Sequence, residues 1–141
     1  MKLIVHELKE SGVTQVLKPN RNVMVEAVRP HIYRHNLPAG EFFLEILNAD
    51  EEVIATSAPV LASSIGGNSF FHGYVRFDIK AGLKKNQVYT FRLSATDYEF
   101  SESAYIAWVN GFDLGKYPLP NQAATSIQAP LDLEVWERKV R

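Results

Sequence analysis

The chain has 141 residues, of which 46% are hydrophobic and 22% are charged, and its formal net charge is −1. This length is enough to bury one hydrophobic core, and the balanced charge argues against a nucleic acid partner. Cysteine is absent, which excludes disulfides, thiolate zinc sites and cysteine nucleophiles. We therefore expect one domain over residues 1–141.

The amino terminus predicts neither export nor membrane insertion. Charged side chains follow Met1 too soon for the apolar core of a signal peptide to form. No window reaches the roughly 18 uncharged apolar residues of a membrane span. We expect a protein that stays where it is translated unless something else carries it out.

Short runs of β-branched and aromatic residues, broken by Gly, Pro, Asn and Asp, predict strands along nearly the whole chain. Residues 1–22 are expected to form an extended amino-terminal segment. The predicted strands are residues 23–28, 41–47, 53–57, 71–79, 88–95, 104–109 and 131–137. No long helix is predicted.

Two hairpins are predicted from the turn residues. The polar stretch 48–52 joins the strands at 41–47 and 53–57. Asn110-Gly111 is a two-residue turn signal that would pair 104–109 with 112–117, because both central residues of such a turn need positive φ. Residues 118–130 contain three prolines, so a long loop or a surface arm is expected there.

Alternation of apolar and polar residues places one face of each strand in a core. On the strand at 88–95 the predicted inward residues are Tyr89, Phe91 and Leu93, and on 71–79 the alternating residues Val75, Phe77 and Ile79 share one face. Antiparallel strands with one apolar face must cover it with another sheet. The predicted fold is all-β, an antiparallel two-sheet β-sandwich with jelly-roll topology.

Candidate metal and catalytic residues form no convincing set. His31 and His35 are four residues apart, which would suit a metal on a helix, but Pro30 and Pro38 bracket them and disfavour a helix. We expect two histidines in loops or at strand ends, and no metal or cofactor.

Carboxylates gather loosely around the strand at 104–109, namely Asp97, Glu99, Glu102 and Asp113. Such pairs would suit glycoside hydrolysis or a hard cation, yet acidic residues are also common in solvated turns. The chain has no nucleophile-elbow, phosphate-loop or zinc-protease motif. We expect a protein that is not an enzyme.

Aromatic residues are the more informative set. Tyr105 and Trp108 have opposite parity on their strand, so one of them is expected to face away from the core. On the last strand Trp136 shares its face with Asp132 and Glu134. An outward Trp136 either packs under residues 118–130 or meets a partner, because large exposed aromatics are enriched at interfaces.

The order of features from Glu41 to Val109 resembles the jelly-roll modules of the galactose-binding-like, carbohydrate-binding type that recur in phage tail and capsid-surface proteins. The resemblance rests on Ile54-Ala55-Thr56-Ser57 in a second strand and on the spacing from Leu83 to Tyr89 before a later one. The Asn110-Gly111 hairpin is similar to one in sugar-binding jelly rolls, although turn chemistry alone also predicts it.

The resemblance implies a non-catalytic virion structural protein, either a phage capsid decoration or cement protein or a tail-associated module. It would be made in the host cytoplasm and would bind a second copy, the major capsid protein or a tail protein, with Trp136 as a candidate contact.

The alternative function is a carbohydrate-binding module. In this hypothesis Tyr105 or Trp108 stacks on a sugar ring, and Asn110, Asp113 or Arg76 supplies hydrogen bonds.

Overall fold

A computed structural model describes residues 4–65, 75–110, 124–126 and 133–137, with side chains for residues 6–65 and 75–108. Within these ranges the chain forms strands and one 3₁₀ turn, Ala62–Ser64, and no α-helix. The strands are β1 (Ile4–Glu7), β2 (Val13–Pro19), β3 (Val23–Pro30), β4 (Ile32–His35), β5 (Glu41–Leu47), β6 (Val53–Thr56), β7 (Val60–Leu61), β8 (Phe77–Leu83), β9 (Tyr89–Thr96), β10 (Tyr105–Asn110), β11 (Ala124–Ser126) and β12 (Leu133–Glu137).

The strands form three antiparallel sheets. The large sheet has the order β11-β2-β9-β5-β6, with β7 paired to the same strand β5. The β10 sheet has the order β1-β10-β4, and the β3 sheet has the order β12-β3-β8. Only His31 separates β3 from β4, so the chain passes directly from one small sheet to the other.

One hydrophobic core joins the three sheets. Leu44 and Leu93 lie opposite each other in the large sheet, where β5 pairs with β9, and both are fully buried. The β3 sheet contributes Phe77 and the β10 sheet contributes Trp108 to the same cluster. The predicted all-β sandwich is confirmed, and its strand pattern is compatible with a jelly-roll-like module.

Most of the predicted inward faces are confirmed. Val75, Phe77 and Ile79 are buried while Arg76 and Asp78 are exposed, as the alternation requires. Tyr89, Phe91 and Leu93 are also buried. The hairpin predicted across residues 48–52 is the antiparallel pair of β5 and β6.

The chain differs from the prediction at its amino-terminal segment. Residues 4–7 and 13–19 are not a separate extension but strands β1 and β2, and β2 lies between β11 and β9 in the large sheet. Leu8, Val13 and Leu17 from this segment are buried in the core. The alternation of apolar residues in β2 explains this placement, because it supplies an inward face.

Three further boundaries differ. β4 was not predicted, and β8 runs on to Leu83, through part of the expected polar connector, because Leu83 is buried. Within the expected loop at 118–130, residues 124–126 form β11 and pair with β2. The other residues of that loop, and the predicted strand partner at 112–117, lie outside the described residues.

Candidate binding surface

Four rings form an aromatic cluster on the outer face of the β10 sheet: Tyr33, His35, Phe100 and Tyr105. Tyr105 lies directly opposite His35, and Tyr33 lies opposite Ala107. Because alternate residues of a strand share a face, the two tyrosines and His35 project from the same side of the sheet. Neighbouring positions such as Ile32 and Ile106 point to the core.

The rings of the aromatic cluster are in mutual contact. The Tyr105 centroid is 5.1 Å from that of His35, 6.0 Å from that of Tyr33 and 5.6 Å from that of Phe100. The Tyr33–Tyr105 pair is edge-to-face, an arrangement that the ring quadrupole favours. All four rings are only partly buried, so the cluster presents aromatic surface to solvent.

Hydrogen bonds fix the orientation of the His35 ring. The Tyr33 hydroxyl lies 3.2 Å from His35 Nδ1, and the Asn36 amide lies 3.5 Å from His35 Nε2. The same Asn36 amide donates to the Ser103 carbonyl. These contacts connect β4 to the segment before β10 and hold the cluster in shape.

The Tyr105 hydroxyl is held in its neutral form. Burial raises the pKa of Tyr105 above its ordinary value, and the neighbouring Tyr33 and Glu7 raise the pKa further. A neutral phenol both donates and accepts hydrogen bonds. Tyr105 therefore combines a partly exposed ring with a neutral hydroxyl that can form hydrogen bonds.

A groove of 610 Å³ adjoins the aromatic cluster and shares Phe100 with it. One wall is the turn between β1 and β2, residues 9–12, and the other is residues 98–100. Ser94 and Ala95 at the end of β9 line it as well. The Lys9 ammonium lies 4.9 Å from the centroid of the Phe100 ring, within the range of a cation–π contact.

Tyr98 fixes the wall of this groove to the sandwich. Its hydroxyl donates to the Leu8 carbonyl at 3.0 Å and accepts from the Ile106 amide at 3.2 Å. Its ring packs edge-to-face on Phe42, with centroids 5.2 Å apart. Burial raises the pKa of Tyr98, and the hydrogen bond from Ile106 opposes that rise.

The structure separates the two aromatic residues of β10. Trp108 is fully buried in the core, so its indole is not available to stack on a ligand. Tyr105 faces outward, as expected for one member of the pair. The hypothesis that Trp108 contacts a sugar is therefore wrong, and Tyr105 is the member of the pair that a ligand can reach.

Of the other predicted binding residues, only Arg76 has a side chain within the described part of the chain. Arg76 lies just before β8 and pairs with Asp78 at 2.8 Å on an exposed surface. Asn110 ends β10 with its backbone opposite Ile4, and Trp136 lies in β12 opposite Ala27. The side chains of Asn110 and Trp136, and all of Asp113, lie outside the described residues.

Histidines and carboxylates form no metal site in the described parts of the chain, where no group of three or more candidate ligands occurs. His31 is buried and precedes β4, while His35 belongs to the aromatic cluster. Asp97, Glu99 and Glu102 are exposed residues between β9 and β10. In the same ranges no helix has the length and apolar character needed to cross a bilayer.

A second surface lies at the edge of the large sheet. β6 and β7 both pair with β5 on the side away from β9, and they carry three exposed apolar side chains, Val53, Ile54 and Leu61, which we call the edge strip. Their exposed fractions are 46%, 43% and 53%. Val53 lies opposite Leu47 at one end of β5, and Leu61 lies opposite Glu41 at the other end. Exposed apolar side chains on an edge strand are a recognised site of pairing with another chain.

Sequence reasoning missed Tyr33 and Phe100, and it considered His35 only as a metal ligand. The period-two spacing of Tyr33 and His35 was an available signal, because it places both on one face of a strand. The nearby prolines predicted a loop instead, so this spacing was not interpreted as a strand. Phe100 follows no such pattern, and only the fold brings it to Tyr105.

Comparison of the chain with protein-family models, with curated proteins and with solved structures found no match. The choice of candidate surfaces therefore depends on geometry alone. The two candidates are the aromatic cluster with its groove and the edge strip.

Proposed function

We propose that this chain is a non-catalytic virion structural protein, a phage capsid decoration or cement protein or a tail-associated module. In this role it binds neighbouring subunits of the particle. The single observation that supports the proposal is the edge strip, three exposed apolar side chains on the outermost strands β6 and β7. The virion location rests on the resemblance to jelly-roll modules of phage particles.

The chemistry of the edge strip favours a protein partner. Proteins protect an edge from pairing with charged side chains, proline, β-bulges or very short strands. β6 and β7 are short, with four and two residues, but they carry no lysine. Val53 and Ile54 instead leave apolar, β-branched side chains exposed on β6, although the pairing of β5 with β6 contains an irregularity at this point. A second copy, the major capsid protein or a tail protein supplies the covering surface.

Re-addition to particles stripped of this protein tests the proposal. Ile54→Lys places a charge in the edge strip, whereas Met24→Lys places one at another exposed apolar residue, on β3. We expect the wild-type chain and Met24→Lys to rebind in a sedimentation assay and Ile54→Lys to remain in the supernatant. Failure of the wild-type chain to rebind, or equal rebinding of Ile54→Lys, would contradict the proposal.

The aromatic cluster favours a second function, carbohydrate binding. Partly exposed rings that are held by their neighbours offer a flat apolar face, and the Tyr105 hydroxyl adds a hydrogen-bonding group. Ligand sites combine an apolar lining with a few fixed polar groups. A capsid or tail protein that also binds glycans would use both surfaces.

A glycan array tests this second function. We expect the wild-type chain to bind a defined glycan and Tyr105→Ala to lose that binding while keeping its fold. Met24→Ala is the matched control, since Met24 is exposed on a different sheet. A blank array with the wild-type chain, or unchanged binding by Tyr105→Ala, would argue against a sugar site on the aromatic cluster.

A further inference from the structure

The groove beside the aromatic cluster has the dimensions of a ligand site. Its 610 Å³ lie within the range of roughly 300–1,000 Å³ typical of small-molecule pockets. The inference drawn from it rests on the proposed carbohydrate-binding function and names the site and the class of sugar.

The walls of the groove are held by the fold. In the β1–β2 turn, Gly12 has a φ of 77° and its amide donates to the Lys9 carbonyl at 3.0 Å. A β-carbon at Gly12 would lie 2.8 Å from the Leu93 carbonyl oxygen, so the turn lies directly against β9. On the other wall, Tyr98 is tied to Leu8 and Ile106. The groove is thus formed before any ligand arrives.

The charged groups of the groove favour an uncharged ligand. Glu10 and Glu99 are exposed and line it, and Lys9, which also lines it, has its ammonium over the Phe100 ring. The lining therefore has one more carboxylate than ammonium. Carboxylates accept hydrogen bonds from hydroxyl groups and repel anions.

The nearby arginine does not reverse this balance. Arg92, whose Cγ would lie 3.1 Å from a β-carbon at Gly12, forms an ion pair with Glu45 at 2.9 Å. Ser94 donates to the same Glu45 carboxylate. The Arg92 guanidinium is thus paired with the Glu45 carboxylate within the large sheet. It does not serve as an anion-binding group in the groove.

We propose that the groove binds a neutral glycan and discriminates against acidic ones. The hydroxyls of a pyranose ring donate to the Glu10 and Glu99 carboxylates, and the C–H face of the sugar ring packs against the part of Phe100 that the Lys9 ammonium leaves uncovered. The groove and the aromatic cluster then form one continuous site, because Phe100 belongs to both. A sialylated or uronic acid sugar is repelled by the same two carboxylates.

Binding measurements with neutral and acidic glycans test the proposal. We expect hits among neutral glycans, a loss of affinity of about tenfold in Glu99→Gln, and a similar loss in Glu10→Gln, because each change replaces a charged acceptor by a neutral one. Phe100→Ala should abolish binding. Glu26→Gln is the matched control, since Glu26 is an exposed carboxylate on β3.

The outcomes separate this inference from the function on which it rests. Binding of a glycan that Tyr105→Ala abolishes, but that Glu10→Gln, Glu99→Gln and Phe100→Ala leave unchanged, would overturn the groove and keep the carbohydrate-binding function. Preference for acidic glycans would overturn the selectivity. No binding to any glycan by the wild-type chain would overturn the function and the inference together.

Discussion

Gly40 precedes β5 with a φ of 115°, a backbone conformation that residues with a side chain rarely adopt. A β-carbon at this position would lie 2.7 Å from the Thr96 carbonyl oxygen and 2.9 Å from Tyr98 Cβ. The close approach brings the start of β5 against the loop that carries Tyr98. Gly40 therefore affects the shape of the groove wall indirectly, through the position of Tyr98.

We predict that Gly40→Ala lowers the free energy of unfolding by about 2 kcal/mol or more, since it adds both a clash and an unfavourable φ. Gly82→Ala is the control, because the nearest atom to a β-carbon there is Met24 Sδ, at 3.4 Å. Urea unfolding of both variants measures the difference. Equal stability of the two variants would contradict the tight approach at Gly40.

The Tyr98 hydroxyl connects three segments, so its removal should be measurable. We predict that Tyr98→Phe costs about 1–2 kcal/mol, because the Leu8 carbonyl and the Ile106 amide lose a partner. Chemical unfolding at neutral pH measures this cost. A variant as stable as the wild-type chain would show that water replaces the hydroxyl.

The raised pKa of Tyr98 also predicts a pH dependence. Below the ordinary value of 10.0 the phenol is neutral in both the folded and the unfolded chain, so its contribution to stability is complete. As pH rises toward the higher folded value, the unfolded chain ionises first and stability falls. Stability of the wild-type chain should therefore fall more steeply above pH 10 than that of Tyr98→Phe. Parallel profiles would contradict the assignment.

At the scale of elements, strands with clear alternation could be predicted and short strands could not. The predicted strand at 41–47 coincides with β5, and its turn signal at Asn48 gave the correct hairpin. β4 was missed because it has four residues and lies between prolines. Its partner β10 is about seventy residues away, and local pattern contains no information on such a pairing.

The β5–β6 turn provides a test at this scale. The Asn48 side-chain oxygen accepts from the Asp50 amide at 3.0 Å and from the Glu52 amide at 2.9 Å. We predict that Asn48→Ala destabilises the chain by about 1 kcal/mol, while Asn48→Ser, which keeps an uncharged oxygen acceptor, has a smaller effect. Asn48→Asp is not a suitable control, because the Asn48 amide donates to the Glu52 carboxylate at 3.3 Å and an aspartate there would repel it. Thermal unfolding of the two variants measures the difference, and a cost for Ser as large as that for Ala would contradict the role of the acceptor.

At the scale of the whole molecule, the sandwich could be predicted because hydrophobic alternation recurs at the spacing of β proteins. The candidate surface could be predicted only in part. Parity predicted that one of Tyr105 and Trp108 faces outward but not which of the two, and the burial of Trp108 decides it. Phe100 and the groove could not be predicted, because they arise from contacts between the segment after β9 and the β1–β2 turn.

The two aromatic residues of β10 are predicted to contribute very differently to the stability of the whole molecule. Trp108→Ala should destabilise the fold by roughly 3–5 kcal/mol, because it leaves a cavity in the core that the three sheets share. Tyr105→Ala should cost much less, since its ring is partly exposed. Denaturant unfolding compares them. Similar losses of unfolding free energy in the two variants would mean that the Tyr105 ring contributes to core packing as much as Trp108 does.

In the proposed function the chain binds a particle and its edge strip on β6 and β7 contacts a neighbouring subunit. The first measurement to make is sedimentation of the purified chain with stripped particles, with Ile54→Lys and Met24→Lys alongside the wild-type chain. We expect the wild-type chain and Met24→Lys to sediment with the particles and Ile54→Lys to remain in the supernatant. If Ile54→Lys sediments as the wild-type chain does, or if the wild-type chain does not sediment, the proposed function is contradicted.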